Sequence, residues 1–131
     1  MKSSKSADLS KLDEVNLVYV VPDCEQSELS PVLLDYIRLA QRMAGFQFTI
    51  TSAFRSQEYE RSKGRKGTSS HCKGLAVDVS TKDSHTRFKV VAASLYAGFP
   101  RIGIGKSFVH LDIDETKAHP IIFHYYDPQN T

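Results

Sequence analysis

The stretch Ser69-Ser70-His71-Cys72-Lys73-Gly74-Leu75-Ala76-Val77-Asp78-Val79 carries an imidazole and a carboxylate, and Phe108-Val109-His110-Leu111-Asp112-Ile113 carries a second such pair. Asp78 sits inside an apolar run, Leu75 to Val79, where burying a carboxylate is costly unless a cation meets it. A metal ion would meet it well. In the second stretch Val109, Leu111 and Ile113 alternate with Phe108, His110 and Asp112, the period of two expected for a strand with one face in a core. The other face then presents an imidazole and a carboxylate side by side. Two histidines and one aspartate held by rigid strands suit zinc with an open fourth position, which is the catalytic arrangement; structural zinc sites usually close all four positions, most often with cysteine.

The pattern Ser69-x-His71-x-x-Gly74-x-Ala76-x-Asp78, followed by His110-x-Asp112, resembles the zinc peptidases that cut bacterial cell-wall peptides. That family comprises D-alanyl-D-alanine carboxypeptidases and dipeptidases, phage L-alanyl-D-glutamate endolysins and cross-link-cutting murein endopeptidases, on a fold shared with the hedgehog signalling domain. With Arg55 included the resemblance spans Thr49 to Ile113, and the branch ending in His-x-Asp is the nearest. The resemblance implies one Zn2+ ion held by His71, Asp78 and His110. It also implies hydrolysis in which the metal lowers the pKa of water and polarises the amide carbonyl while a carboxylate carries the proton. Arg55 falls where the family has an arginine for the substrate carboxylate or polarised carbonyl, a role suited to the fixed donors of a guanidinium. Its alternative role is a structural salt bridge.

The chain departs from the family at the proton carrier. Ser107 stands where many members have an acidic residue, and Phe108 where others have a histidine. Asp112 is the candidate in their place, on the same strand face as His110 and roughly 7 Å along it; the competing role for Asp112 is to orient a ligand or Arg55. A noncatalytic zinc-containing module, binding the wall or serving in a virion, is the alternative to a peptidase, because the hedgehog domain uses this scaffold mainly for binding.

Several elements must position these groups. Leu17 to Val21 is a short β-branched run ended by Pro22, an edge strand. Ser30 as N-cap, Pro31 in the first turn, Val32, Leu33, Tyr36, Ile37, Ala40 and Met43 on one face, and Gly45 as C-cap specify a helix. Phe46, Phe48 and Ile50 alternate into a strand that delivers Arg55, after which Ser56 caps a short helix over Gln57 to Arg61. The loop Ser62 to Thr68 is basic, either a rim for an anionic polymer or a solvated loop. A second amphipathic helix runs from Ser84 to Gly98, marked by Phe88, Val91, Ala92, Leu95 and Tyr96 and capped by Asp83 or Ser84. Arg101 to Gly105 forms a hairpin with the His110 strand. Pro120 to Tyr126 is β-prone and aromatic, with His119 and His124 outside the ligand set. The expected fold is α+β: a small antiparallel sheet of about four or five strands carrying the site, with two longer helices on its other face.

The chain of 131 residues suits one domain, residues 14–131, behind a polar disordered tail, residues 1–13. That tail lacks the apolar core of a signal peptide, and no segment is long enough to span a membrane. A wall peptidase of this kind would be made in the bacterial cytoplasm, encoded by host or phage, and act in the periplasm or wall after release. With 17 basic against 15 acidic residues, the charge of +2 is too mild to argue for nucleic acid. The expected partner is a peptidoglycan peptide, met by a monomer. Cys24 and Cys72 imply no disulfide framework; a single bridge is open to them, and Cys72 reads best as a small packed residue.

Overall fold

The structure, a computed structural model, describes residues 9–17 and 28–126. Its elements are strand β1 (Asn16–Leu17), helix α1 (Pro31–Ala44), β2 (Thr49–Ser52), α2 (Gln57–Ser62), β3 (Ala76–Ser80), α3 (Ser84–Ala97), β4 (Arg101–Ile104), β5 (Phe108–Asp112) and β6 (Ile121–His124). The fold is α+β. The six strands form one sheet in the order β1-β2-β3-β5-β4-β6. It is mixed rather than antiparallel throughout: β1 runs parallel to β2, and β6 parallel to β4, while the central pairings are antiparallel. Hairpin signals identify antiparallel neighbours, and the two parallel pairs join strands separated by other elements, which leave no local turn signal.

Ser30 caps α1 by accepting from the Val32 and Leu33 N–H groups, and Gly45, at φ 85°, ends it in the left-handed conformation. The buried stripe is Leu33, Ile37, Ala40 and Gln41, whereas Val32 and Met43 are exposed. Gln41 is a buried polar group with its bonding complete. Its Nε2 donates to the carbonyls of Leu12 and Glu14, and its Oε1 accepts from the Phe48 N–H. That amide ties the N-terminal segment and the approach to β2 onto α1. Leu9–Asp13 accordingly forms a 3-10 turn rather than part of a tail, with the Asp13 carboxylate bridged by Arg42 at 2.9 and 3.0 Å. The expected strand past Leu17, the first eight residues and Cys24 lie outside the described residues.

Asp83 is the N-cap of α3, accepting from the Thr86 N–H, and Gly98 terminates it. The buried side, however, is Val90, Ala93 and Ser94; Phe88 is 73% and Tyr96 82% exposed, and Leu95 is exposed too. α3 is apolar around much of its circumference, so periodicity alone selected the wrong face. The core lies between α1, α3 and the sheet, where Ile50, Val77, Val79, Val109 and Leu111 meet Leu33, Ile37 and Val90.

Gly74 sets the link between α1 and the His71 turn. Its φ is 72°, and a Cβ there would overlap the Glu28 carbonyl oxygen. Its own carbonyl accepts from the Ser30 N–H at 2.9 Å. Gly74→Ala is expected to cost about 3 kcal/mol, from left-handed backbone plus a displaced carbonyl, and so lower Tm by roughly 10 °C. Thermal denaturation followed by circular dichroism tests this; an unchanged Tm would mean that the segment ahead of α1 yields freely.

Candidate metal centre

Strand register builds the site. Ser52 pairs with Asp78, Asp78 with His110, His110 with Gly103, and Gly103 with Phe123, so one row crosses β2, β3, β5, β4 and β6. Alternation turns Val77, Val79, Val109 and Leu111 into the core, so Asp78 and His110 take the opposite face. His71 arrives from the adjacent 3-10 turn, Ser70–Lys73. Ser69 starts that turn by accepting from the His71 N–H at 3.1 Å, and Gly74 closes it by donating back to the Ser70 and His71 carbonyls. The Arg55 N–H donates to the His71 carbonyl, fixing the turn against the end of β2.

The outer nitrogen of each histidine is committed. His71 Nδ1 lies 2.8 Å from the Ala53 carbonyl oxygen, which can only accept, so Nδ1 carries the proton and Nε2 is left with a lone pair. His110 Nε2 lies 2.6 Å from Asp112 Oδ2 and Nδ1 3.1 Å from Asp78 Oδ1; in the neutral ring with its proton toward the closer Asp112, Nδ1 turns a lone pair toward Asp78. His71 Nε2 and His110 Nδ1 approach Asp78 Oδ1 at 3.5 and 3.1 Å. Two lone pairs and a carboxylate oxygen directed at one small volume repel one another unless a cation lies among them. The ligand atoms of the three residues lie within 4.8 Å of one another. Ligands about 2.0–2.1 Å from a tetrahedral zinc ion are about 3.3 Å apart, close to both measured separations. The donor set therefore fits Zn2+ with an open position.

The protonation equilibria of these groups express the same demand for positive charge. Burial opposes a charged His110, but the carboxylates of Asp112 and Asp78 outweigh it and hold its pKa above the ordinary value. Burial likewise pushes Asp78 upward, and its bonds to His110 and His71 prevail, holding it well below the usual carboxylate range.

Asp112 is fully buried. It takes Arg101 Nε at 2.9 Å on Oδ1, the Asp114 N–H at 3.0 Å on the same oxygen, and His110 on Oδ2. Arg55 Nε lies 3.3 Å from Glu60 Oε2, Nη1 donates to Ser52 Oγ, and the side chain lines the cavity over the cluster. Neither His119, whose Nδ1 meets the Lys117 carbonyl, nor His124, stacked on Tyr126, belongs to the cluster. Cys72 is half-buried and burial pushes its thiol pKa up, which suits packing rather than a thiolate ligand.

The cavity measures about 330 Å³, with Arg55, Arg65, Arg101 and Lys117 on its polar side and Phe108, Phe123 and Tyr125 as an aromatic wall. Gly103 makes that wall possible, because a Cβ there would come within 2.6 Å of the Phe123 ring and 2.9 Å of the Tyr125 ring. Phe123 then packs on His110 with ring centroids 5.8 Å apart. Burial, reinforced by the negative charges of Asp78 and Asp112, pushes the Tyr125 phenol up to about 12, so it remains a donor at neutral pH. Sequence reasoning left Phe123 and Tyr125 without a role in the site; their alternation with His124 at the end of β6 was the available signal. It also passed over Glu60 and Asp114, buried carboxylates that anchor the arginines and the His71 turn. Their burial has no periodic signature.

A model of the family described as Peptidase M15 matches residues 16–112. The chain belongs to that family. The match contains His71, Asp78, His110, Asp112 and Arg55, so this M15 chain is a peptidase-family protein with its His-Asp-His cluster inside the matched region. Its fold is similar to that in the crystal structure of Serratia marcescens L-Ala D-Glu endopeptidase ChiX, with TM-score 0.53 and 21% identity over 85% of this chain and 100% of that one. No curated protein matches the M15 chain significantly. Among the described residues, none of its helices is long and apolar enough to cross a membrane.

Proposed function

We propose that this M15 chain is a zinc peptidase that hydrolyses peptide bonds in the stem peptides or cross-links of bacterial peptidoglycan. The observation that carries the reading is the His71, Asp78 and His110 set, in which His71 Nε2 and His110 Nδ1 converge on one carboxylate oxygen while their other ring nitrogens face the Ala53 carbonyl and Asp112. Membership of a peptidase family and a fold shared with a protein described as an L-Ala D-Glu endopeptidase support the substrate class.

In this reading His71, Asp78 and His110 hold one Zn2+, which supplies Lewis acidity toward the amide carbonyl and lowers the pKa of water. Arg55 presents a permanent positive charge to the carbonyl oxygen or to a neighbouring carboxylate, held in place by Ser52 and Glu60. Asp112 keeps the proton on His110 Nε2 and so orients the ring; its saturation by Arg101 and the Asp114 N–H supports this positioning role over proton transfer. The chain would act as a monomer of one domain, in the periplasm or wall.

One observation favours a second reading, a zinc-containing wall-binding module without turnover: the cavity's carboxylates, Glu60, Asp78 and Asp112, are all engaged by other groups. Mass spectrometry of purified peptidoglycan incubated with the zinc-loaded protein, beside a chelated control, separates the two. New fragments that disappear on chelation are expected, and their masses identify the bond. A protein that holds zinc and sediments with the wall yet releases nothing would establish the binding module instead.

A further inference from the structure

Two buried carboxylates beside the metal cluster are each shared by two cations. Glu60 receives Arg65 in a two-pronged pair, Nε to Oε1 at 3.0 Å and Nη2 to Oε2 at 2.7 Å, while Arg55 Nε approaches the same Oε2 at 3.3 Å. Asp114 receives Lys73 Nζ at 3.0 Å, with Lys117 Nζ more distant at 4.0 Å. Asp114 is further bound by the Ser70 and Thr116 hydroxyls, and Arg101 is taken up by Asp112. Each of the first two groups thus carries one positive charge in excess.

Lys73, 41% exposed, does not line the cavity over the cluster, whereas Arg65 and Lys117 do. Glu60 and Asp114 are buried, whereas the Arg65 side chain is 50% and the Lys117 side chain 36% exposed. Arg65 and Lys117, from separate parts of the chain, line the metal cavity together and also line an adjoining cavity of about 340 Å³ floored by residues 64–69. Lys66 adds a further cation to that annex. Arg65 Nη1 takes no partner among the described residues. A guanidinium braced by one carboxylate, next to a loosely held ammonium, is a receptor for a second carboxylate, and the brace means that little order remains to be imposed on binding.

Resting on the peptidase reading of the neighbouring cluster, we propose that Arg65 and Lys117 form a subsite for a carboxylate of the peptide substrate, displaced from the bond being cut toward the 64–69 loop. The enzyme would therefore prefer acidic peptides over their amidated forms. Substitution at these positions leaves each buried carboxylate one cation, Arg55 for Glu60 and Lys73 for Asp114, so the double variant Arg65→Gln/Lys117→Gln retains its supports.

The test uses the zinc-loaded full chain and stem peptides prepared with carboxylates free and converted to carboxamides. Each form is digested, and each is titrated calorimetrically. We expect the wild type to favour the free form about tenfold in both kcat/KM and affinity, a ratio that shrinks as salt rises from low to high concentration. In Arg65→Gln/Lys117→Gln the ratio should fall towards one. A wild type that treats both forms alike, or a double variant that keeps the wild-type ratio, overturns the subsite. If the wild type cleaves neither form, the hydrolase reading fails on its own, and the binding ratios still decide the subsite.

Discussion

Asp78→Ala is expected to abolish zinc binding, and with it at least a thousandfold of peptide hydrolysis, about 4 kcal/mol of transition-state stabilisation. Asp78 Oδ1 is the atom on which His71 Nε2 and His110 Nδ1 converge, so its removal would leave the proposed ligand set two imidazoles and no anion. The companion readout needs no substrate. On the zinc reading, zinc at about a hundred times its Kd should stabilise the folded wild type by about 2.7 kcal/mol through mass action, a rise of roughly 10 °C in Tm. The variant should show no such shift. Metal analysis after dialysis gives the stoichiometry directly, and one zinc retained per chain in Asp78→Ala would remove Asp78 from the ligand set whatever happened to activity.

That three separate residues meet at one point was legible because the relevant signals are local or periodic. The Ser69-to-Asp78 spacing encodes a capped turn entering a strand, and the alternation around His110 states which side chains share a face. Helix α1 was legible for the same reason, since Ser30, Pro31 and Gly45 mark its ends independently of its packing. What escaped depends on contacts between distant segments. α3 offers apolar residues on more than one side, and only packing against α1 and the sheet selects Val90 and Ala93 over Phe88 and Tyr96. The parallel pairings of β1 with β2 and β4 with β6 have no connecting turn to announce them. Gln41, Glu60 and Asp114 read as surface residues by type, and they are buried because carbonyls, arginines, hydroxyls and a lysine from elsewhere meet them. The role of Asp112 belongs to the same class: its strand face was legible, but its partners Arg101 and the Asp114 N–H were not.

Those partners make Asp112→Asn the most discriminating substitution at the site. The asparagine keeps the size of the side chain and an acceptor for His110 Nε2, but it loses the charge that stabilises the donated proton and balances the nearly buried Arg101. If Asp112 positions His110, zinc affinity should fall about 10- to 100-fold while kcat at saturating zinc stays within about tenfold of wild type. If Asp112 instead carries the proton, zinc affinity should hold while kcat falls about 10²- to 10⁴-fold. Stability cannot choose between them, because either role leaves Arg101 without its counter-charge at a cost of about 3 kcal/mol. Zinc titration and turnover at saturating zinc must therefore be measured on the same preparation. The hydrogen bonds already filling Asp112 favour the first outcome: a carboxylate that accepts from an arginine, a backbone N–H and an imidazole is held below its ordinary pKa even against burial, and a base so stabilised has little tendency to take a proton.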